Sequence, residues 1–198
     1  MHRHKILLIE GARQIGKTYI IRKVSKELFP NYIEINFVTD AAGAKIFENV
    51  RSVEDFYFAL STVAGDKMKD RDSTIVFLDE IQECPRALTS LKYFRENAPQ
   101  YDIIVAGSLL GVACHEGTGF PVGKVSFMNL YPLSFEEFLL AMGEERFVEL
   151  LHNKDFKTIK LFNNKYEKLL KQYCYIGGMP EVVNDFIENE LKNIRKVE

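Results

Sequence analysis

One segment near the start of the sequence combines glycines, a lysine and a hydroxyl residue at a spacing that binds phosphate. It reads Gly11, Ala12, Arg13, Gln14, Ile15, Gly16, Lys17 and Thr18, and it fits the pattern GxxxxGK[ST] at every fixed position. Glycines let backbone N–H groups turn toward an anion, and the positive end of a following helix adds to the attraction. In such a loop the lysine contacts the β- and γ-phosphates, and the hydroxyl group binds Mg²⁺. The segment predicts a nucleotide-phosphate site, and the alternative is an ordinary glycine-rich turn with a solvated lysine.

An apolar run that ends in two acids supplies a second set of reactive groups. Residues 75–78 are Ile, Val, Phe and Leu, and Asp79 and Glu80 follow them. At the end of a buried strand, Asp79 would hold hydrated Mg²⁺ opposite Thr18. Glu80 points elsewhere and would polarise a water molecule for attack on the γ-phosphate. The alternative is that both acids only start the next loop or cap the helix near Pro85.

The composition excludes several classes of protein. The chain has 198 residues, of which 46% are apolar and 27% charged, with a formal net charge of −2. This balance argues against a disordered tail and against a strongly basic protein that coats DNA. Three scattered cysteines without a CxxC pair do not form a secreted disulfide framework. No run approaches the roughly 20 apolar residues of a membrane span, so we expect a cytoplasmic protein with no membrane partner.

Short apolar runs alternate with helical patterns, which predicts an α/β fold with a parallel sheet. The predicted strands cover residues 5–10, 32–37, 74–78, 102–106 and 125–130. Helices are predicted over 17–28, from Ser52 onward, over 85–97, from Ser134 to about 143, over 147–151 and over 156–175. Strand signals end before Ser134, so the chain is predicted to comprise a parallel-sheet, nucleotide-binding core over residues 1–132 and a helical, lid-like segment over 133–198.

The spacing of the two motifs leaves room for one further strand between them. This is typical of the P-loop class in which an additional strand separates the phosphate-loop strand from the strand of a catalytic glutamate. In that class the five strands lie in the order 5-1-4-3-2, so the strand over 102–106 lies between the two motif strands. Ser108 is then expected near the γ-phosphate, where it would hold the attacking water or sense the phosphate. A Gly-Ser turn after a strand is the alternative.

These residues resemble the AAA-type P-loop ATPases of the additional-strand catalytic-Glu class. More narrowly, they are similar to a prokaryotic family of AAA ATP-binding proteins that often carries a C-terminal nuclease-like domain of unknown function. Besides the phosphate loop, the resemblance lies in FLDEIQ (77–82), AGS (106–108), YPLSFEEF (131–138) and GGMPE (177–181). No catalytic role follows from the residue types of the last two segments.

The resemblance implies a three-layer αβα sandwich, with ATP and Mg²⁺ as cofactors. It implies self-association or a C-terminal domain beyond this chain as partners, and nucleic acid by analogy alone. Because family members usually have a lead-in and a sizeable further domain, we expect a part of a longer protein.

ATPases of this class often need an arginine from a neighbouring subunit. Arg86 and Arg95 are candidates for that contact, and a solvated surface position is the alternative for both. Arg13 would touch a partner or the nucleotide, or lie at the surface. Lys124 stands where the family often has arginine, at the end of a long loop over 111–124 of low helix and strand propensity.

The leading hypothesis is a Mg²⁺-dependent ATPase module that converts ATP to ADP and changes conformation. Its expected catalytic residues are Glu80, Lys17 and Ser108, its expected metal ligands are Thr18 and Asp79, and residues 11–18 bind the nucleotide. One alternative is a nucleotide-gated interaction switch with negligible turnover alone. Another is a small-molecule kinase, which the lack of an arginine cluster disfavours.

Overall fold

A five-stranded parallel sheet forms the centre of the first part of the chain. The computed structural model describes residues 6–69, 73–97, 101–108 and 125–194. The strands are β1 (Ile6–Glu10), β2 (Asn31–Asn36), β3 (Thr74–Asp79), β4 (Asp102–Gly107) and β5 (Val125–Asn129). They lie in the order β2-β3-β4-β1-β5, and every neighbouring pair is parallel. This confirms the predicted P-loop order, which is the same sequence counted from the opposite edge.

Helices follow the strands and then continue alone. In the described residues they are α1 (Lys17–Leu28), α2 (Ala41–Phe47), α3 (Val53–Ala64), α4 (Pro85–Asn97), α5 (Phe135–Ala141), α6 (Glu145–His152), α7 (Phe156–Leu161), α8 (Asn163–Ile176) and α9 (Pro180–Ile194). Short 3₁₀ helices cover Gly65–Lys69 and Ile81–Glu83. The helix α2 was not predicted from the sequence, because its alanines and glycine give little apolar periodicity. Asp40 caps this helix by accepting a hydrogen bond from the Gly43 N–H group.

The sheet is covered on both faces, which makes a three-layer sandwich. Successive side chains of a strand point to opposite faces, and β3 is buried at all six positions. Val76 and Leu78 belong to the larger apolar cluster, which α3 and α4 complete. Phe77 packs with Ile21 of α1 in a second cluster. The apolar run of β3 is therefore explained by its central place in a parallel sheet.

The chain divides into two compact units, residues 1–130 and 131–198. The second unit has its own core, formed by Phe138, Leu139, Phe147, Val148, Tyr166, Leu169 and Val183. Its first helix, α5, begins with a capping box. The Ser134 hydroxyl accepts from the Glu137 N–H group at 3.2 Å, and the Glu137 carboxylate accepts from the Ser134 N–H group at 2.7 Å. This is the helix start that the sequence pattern predicts.

The two family segments without catalytic meaning bind each other inside the second unit. The Leu133 N–H group donates to the Gly178 carbonyl at 2.7 Å, and the Tyr173 hydroxyl donates to the Leu133 carbonyl at 2.8 Å. A Cβ atom at position 178 would lie 2.1 Å from the Leu133 carbonyl oxygen. Only glycine fits there, so the glycine at position 178 has a packing reason.

The predicted single helix over 156–175 is wrong, because the chain breaks at Phe162 between α7 and α8. Phe162 leaves helical geometry with φ −104° and ψ 19°. Its ring packs edge-on against Phe147 at 5.9 Å between centroids. Asn163 and Asn164, which follow, are weak helix formers, so the break costs little and the aromatic contact stabilises it. Within the part of the chain that the structure describes, no helix is long and apolar enough to cross a membrane.

Candidate functional site

The loop between β1 and α1 has a backbone that only particular residues can adopt. Gly11 has a φ of +154°, and a Cβ atom there would lie 2.3 Å from the Leu130 carbonyl oxygen. Gln14 also has a positive φ of 63°, which is a strained value for a residue with a side chain. Gly16 is the N-cap of α1, and no side-chain cap is found there. The first N–H groups of this helix are therefore left for an anion.

Lys17 lies at the base of this loop and is buried, with an exposed fraction of 6%. Its ammonium group donates to the Gly11 carbonyl at 2.8 Å and to the Ala12 carbonyl at 2.7 Å. Burial lowers the pKa of Lys17, and the nearby Glu80 and Asp79 carboxylates oppose that shift. Among the described residues its hydrogen-bond acceptors are carbonyl oxygens, and such a buried cation gains from an added anion. The loop can therefore bind a phosphate through Lys17.

Asp79 lies at the end of β3 and is almost completely buried, at 1% exposure. Its Oδ2 atom accepts from the Thr18 hydroxyl at 2.8 Å and from the Asn36 amide at 3.0 Å. Its Oδ1 atom accepts from the Glu80 N–H group at 3.1 Å. Burial raises the pKa of Asp79, and the hydrogen bonds from Thr18 and Asn36 work against that rise. The structure thus brings Thr18 and Asp79 together, as the two motifs lead one to expect.

Asn36 is a site residue that the sequence analysis missed. In the sheet it lies directly opposite Asp79. Its Oδ1 atom accepts from the Val38 and Thr39 N–H groups at 3.0 and 2.9 Å. These bonds fix the amide so that its NH₂ group faces Asp79. The sequence held one signal for it, because Asn36 is a polar residue near the end of the strand predicted to lie next to the strand of Asp79.

Glu80 and Ser108 are connected through a third side chain, Gln82. Glu80 has a left-handed φ of 52° and precedes the 3₁₀ turn that carries Gln82. The Gln82 amide donates to the Glu80 carboxylate at 2.5 Å, and the same nitrogen lies 3.5 Å from the Ser108 hydroxyl oxygen. The ends of β3 and β4 meet here because the two strands are neighbours. Ser108 therefore lies beside the glutamate turn, as the strand order predicts.

The donor set at Thr18 and Asp79 fits a magnesium ion. A hydroxyl oxygen and a carboxylate oxygen lie 2.8 Å apart, and Mg²⁺ prefers oxygen ligands. Mg²⁺ is commonly held by one or two protein groups together with substrate phosphates. Since burial raises the pKa of Asp79, a cation beside that carboxylate would favour its charged form.

The arginines predicted to contact a neighbouring subunit or the nucleotide are exposed where the structure describes their side chains. Arg13 and Arg86 are both exposed, and their contact with a neighbouring subunit stays a prediction. The Arg95 side chain, Lys124 and the loop over 111–124 lie outside the described residues.

Comparison with known proteins identifies the first part of the chain. A family model described as an AAA domain matches residues 3–139, which is more than half of the sequence. No curated protein matches the chain.

Three solved structures illustrate the similarity of fold. The Walker-type ATPase of Pyrococcus abyssi is 16% identical with a TM-score of 0.43, over 98% of this chain and 71% of that one. Drosophila ORC bound to DNA is 16% identical with a TM-score of 0.49, over 98% of this chain and 51% of that one. The Aeropyrum pernix ORC1 protein in complex with DNA is 18% identical with a TM-score of 0.45, over 71% and 44%. This chain thus spans about half or less of the two ORC chains, and at these scores none of the three supports a functional conclusion.

Proposed function

The chain belongs to the AAA domain family and is an AAA-type P-loop ATPase, and on this premise we propose a Mg²⁺-dependent ATPase module that couples nucleotide state to a conformational change. The observation that supports this proposal most strongly is the hydrogen bond of 2.8 Å between Thr18 and Asp79. It joins the two motifs, 61 residues apart, within one site beside the phosphate loop.

Each group of the site has a proposed part in binding. The backbone N–H groups of the phosphate loop, residues 11–16, surround the phosphates. Lys17 supplies a positive charge for the β- and γ-phosphates, and Thr18 and Asp79 hold Mg²⁺. When bound, Mg²⁺ neutralises charge on the phosphate oxygens. Asn36 keeps the Asp79 carboxylate in place through its amide.

Hydrolysis is proposed to depend on Glu80 and Ser108. Glu80 accepts a proton from a water molecule whose oxygen attacks the γ-phosphorus. The bond between that phosphorus and the β–γ bridging oxygen breaks, so that ADP and phosphate are the products. Ser108 lies beside the Glu80 turn, where a hydroxyl group can hold the water or contact the γ-phosphate.

The coupling to a conformational change follows from contacts that ligand binding must replace. Lys17 donates to the Gly11 and Ala12 carbonyls, so contact with phosphate requires its ammonium group to turn toward new acceptors. The Thr18 hydroxyl donates its hydrogen to Asp79, and a metal held by both oxygens would require that hydrogen to turn away. Both rearrangements occur where α1 and β3 meet the loop, so both elements can transmit the change.

Turnover of ATP by matched glutamate variants tests the proposal. Glu80→Gln should lower kcat by about 100- to 10,000-fold, because it removes the general base, while the affinity for ATP is retained. Glu83→Gln is the control, since Glu83 is exposed on the same turn and should leave turnover unchanged. Equal turnover in wild type and Glu80→Gln would refute the role of Glu80. ATP binding without turnover in the wild type would instead favour a nucleotide-gated switch.

A further inference from the structure

Gln82 is a polar residue of the site to which the proposed mechanism gives no role. It lies on the 3₁₀ turn Ile81–Glu83, directly after the left-handed Glu80. Its NH₂ group donates to the Glu80 carboxylate. Its Oε1 atom is buried and has no hydrogen-bond donor in the described part of the chain. An oxygen that is closed to solvent cannot bind a water molecule, so in the described part of the chain Gln82 can act on the site only through its NH₂ group.

We propose that Gln82 is a positioning residue for ATP hydrolysis, an inference that rests on the proposed function. Its NH₂ group holds the Glu80 carboxylate in the orientation needed for proton transfer. Gln82 thereby acts on the reaction through Glu80.

The orientation of the amide follows from the chemistry of its partner. An ionised carboxylate only accepts hydrogen bonds, so the amide atom that faces Glu80 must be the nitrogen.

The second hydrogen of the Gln82 NH₂ group connects this arrangement to β4. The nitrogen lies 3.5 Å from the Ser108 hydroxyl oxygen, a long contact compared with a strong hydrogen bond. Ser108 comes directly after β4, and Glu80 comes directly after β3. Gln82 therefore lies between the two groups that sequence and strand order assign to the γ-phosphate.

Gln82→Met is the variant that tests the inference, because methionine keeps the length of the side chain and removes both polar atoms. We expect kcat to fall about 10- to 100-fold, while the Kd for ATP changes less than twofold. Gln82→Ala is a second variant with the same expectation, should Gln82→Met unfold. Glu83→Met, at the exposed neighbour on the same turn, is the matched control and should keep the wild-type kcat.

A double variant separates positioning from a merely structural role. Because Gln82 acts through Glu80, adding Gln82→Met to Glu80→Gln should lower the single-turnover rate by less than about threefold. A loss as large as in the wild-type background would overturn the inference, and so would a weakened Kd for ATP.

Outcomes for turnover distinguish this inference from the proposed function. Unchanged or faster turnover in Gln82→Met, with an active wild type and an impaired Glu80→Gln, overturns the role of Gln82 alone. No turnover in the wild type overturns the proposed function, and the inference with it.

Discussion

The two units of the chain differ in what they bury. Among the described residues, the buried polar and charged side chains are Lys17, Ser25, Thr74, Asp79 and Ser90, and all belong to the first unit. The second unit has a buried core of apolar and aromatic side chains. Burying a charge is costly unless it is compensated, so the burial of Lys17 and Asp79 in the first unit needs a reason beyond stability.

Both units nevertheless contain segments on which the resemblance to AAA ATP-binding proteins rests. In the first unit these residues converge at the phosphate loop, where they can bind and react. In the second unit they form a backbone contact, from Leu133 to Gly178, that holds helices together. A distinctive sequence segment can therefore serve either ligand binding or packing. Buried charged groups indicate binding in the first unit, and a close backbone contact indicates packing in the second.

Removal of the Lys17 ammonium group should have the largest effect. It tests whether the charge buried in the first unit serves ligand binding. Lys17→Ala should weaken ATP binding by about 30- to 5,000-fold, since truncation of a buried, hydrogen-bonded charge costs about 2–5 kcal/mol. Isothermal titration with ATP measures the effect. Lys23→Ala, at an exposed position on the same helix, should bind ATP like the wild type. Unchanged affinity in Lys17→Ala would contradict the proposal that the loop over residues 11–18 binds the phosphates of ATP.

The close backbone contact at Gly178 predicts a smaller effect, on the stability of the second unit. Gly178→Ala should destabilise that unit by about 1–3 kcal/mol, because the added methyl group meets the Leu133 backbone. Hydrogen exchange over residues 131–194 should become faster, while the affinity for ATP stays within twofold. Val182→Ala, at a position that is 44% exposed, serves as the control. A loss of ATP binding in Gly178→Ala would contradict a purely structural role.

A polar cluster at the surface of the first unit provides the smallest expected effect. Burial works to raise the pKa of Glu34, but hydrogen bonds from Arg22 and Tyr32 outweigh it and lower that pKa. The resulting stability is present above the unfolded pKa of about 4.3 and is lost as the pH falls through the lower folded value.

The variant Glu34→Gln measures this contribution. It should lower the free energy of unfolding at pH 7 by under about 1 kcal/mol, because Arg22 is half exposed and solvent screens the pair. Urea unfolding at pH 7 and at pH 3 should show a smaller difference between the two proteins at the lower pH. ATP affinity should not change. An equal difference at both pH values would contradict the assigned pKa direction.

Much of the first unit could be predicted because its patterns are local. The helices α1 and α4 were predicted with their observed bounds, Lys17–Leu28 and Pro85–Asn97. A glycine followed by a lysine marks the start of α1, and a proline at the first turn marks the start of α4. The strand order followed from the class of P-loop protein and is confirmed. Membership in the AAA family is confirmed as well.

The parts that could not be predicted depend on contacts between distant residues. Asn36 reaches Asp79 only because β2 lies next to β3, and Gln82 faces Glu80 because of a left-handed turn. The break at Phe162 depends on the Phe147 ring. The catalytic and metal roles of the site residues stay predictions, because they concern a reaction and not a fold.

Identification of the nucleotide bound to Glu80→Gln tests the central claim most directly. Wild type and variant are incubated with ATP and Mg²⁺, separated from free nucleotide, and the bound nucleotide is analysed. We expect intact ATP on Glu80→Gln and ADP on the wild type, because the variant keeps the binding groups and lacks the group that accepts the proton. ADP on both proteins would contradict it.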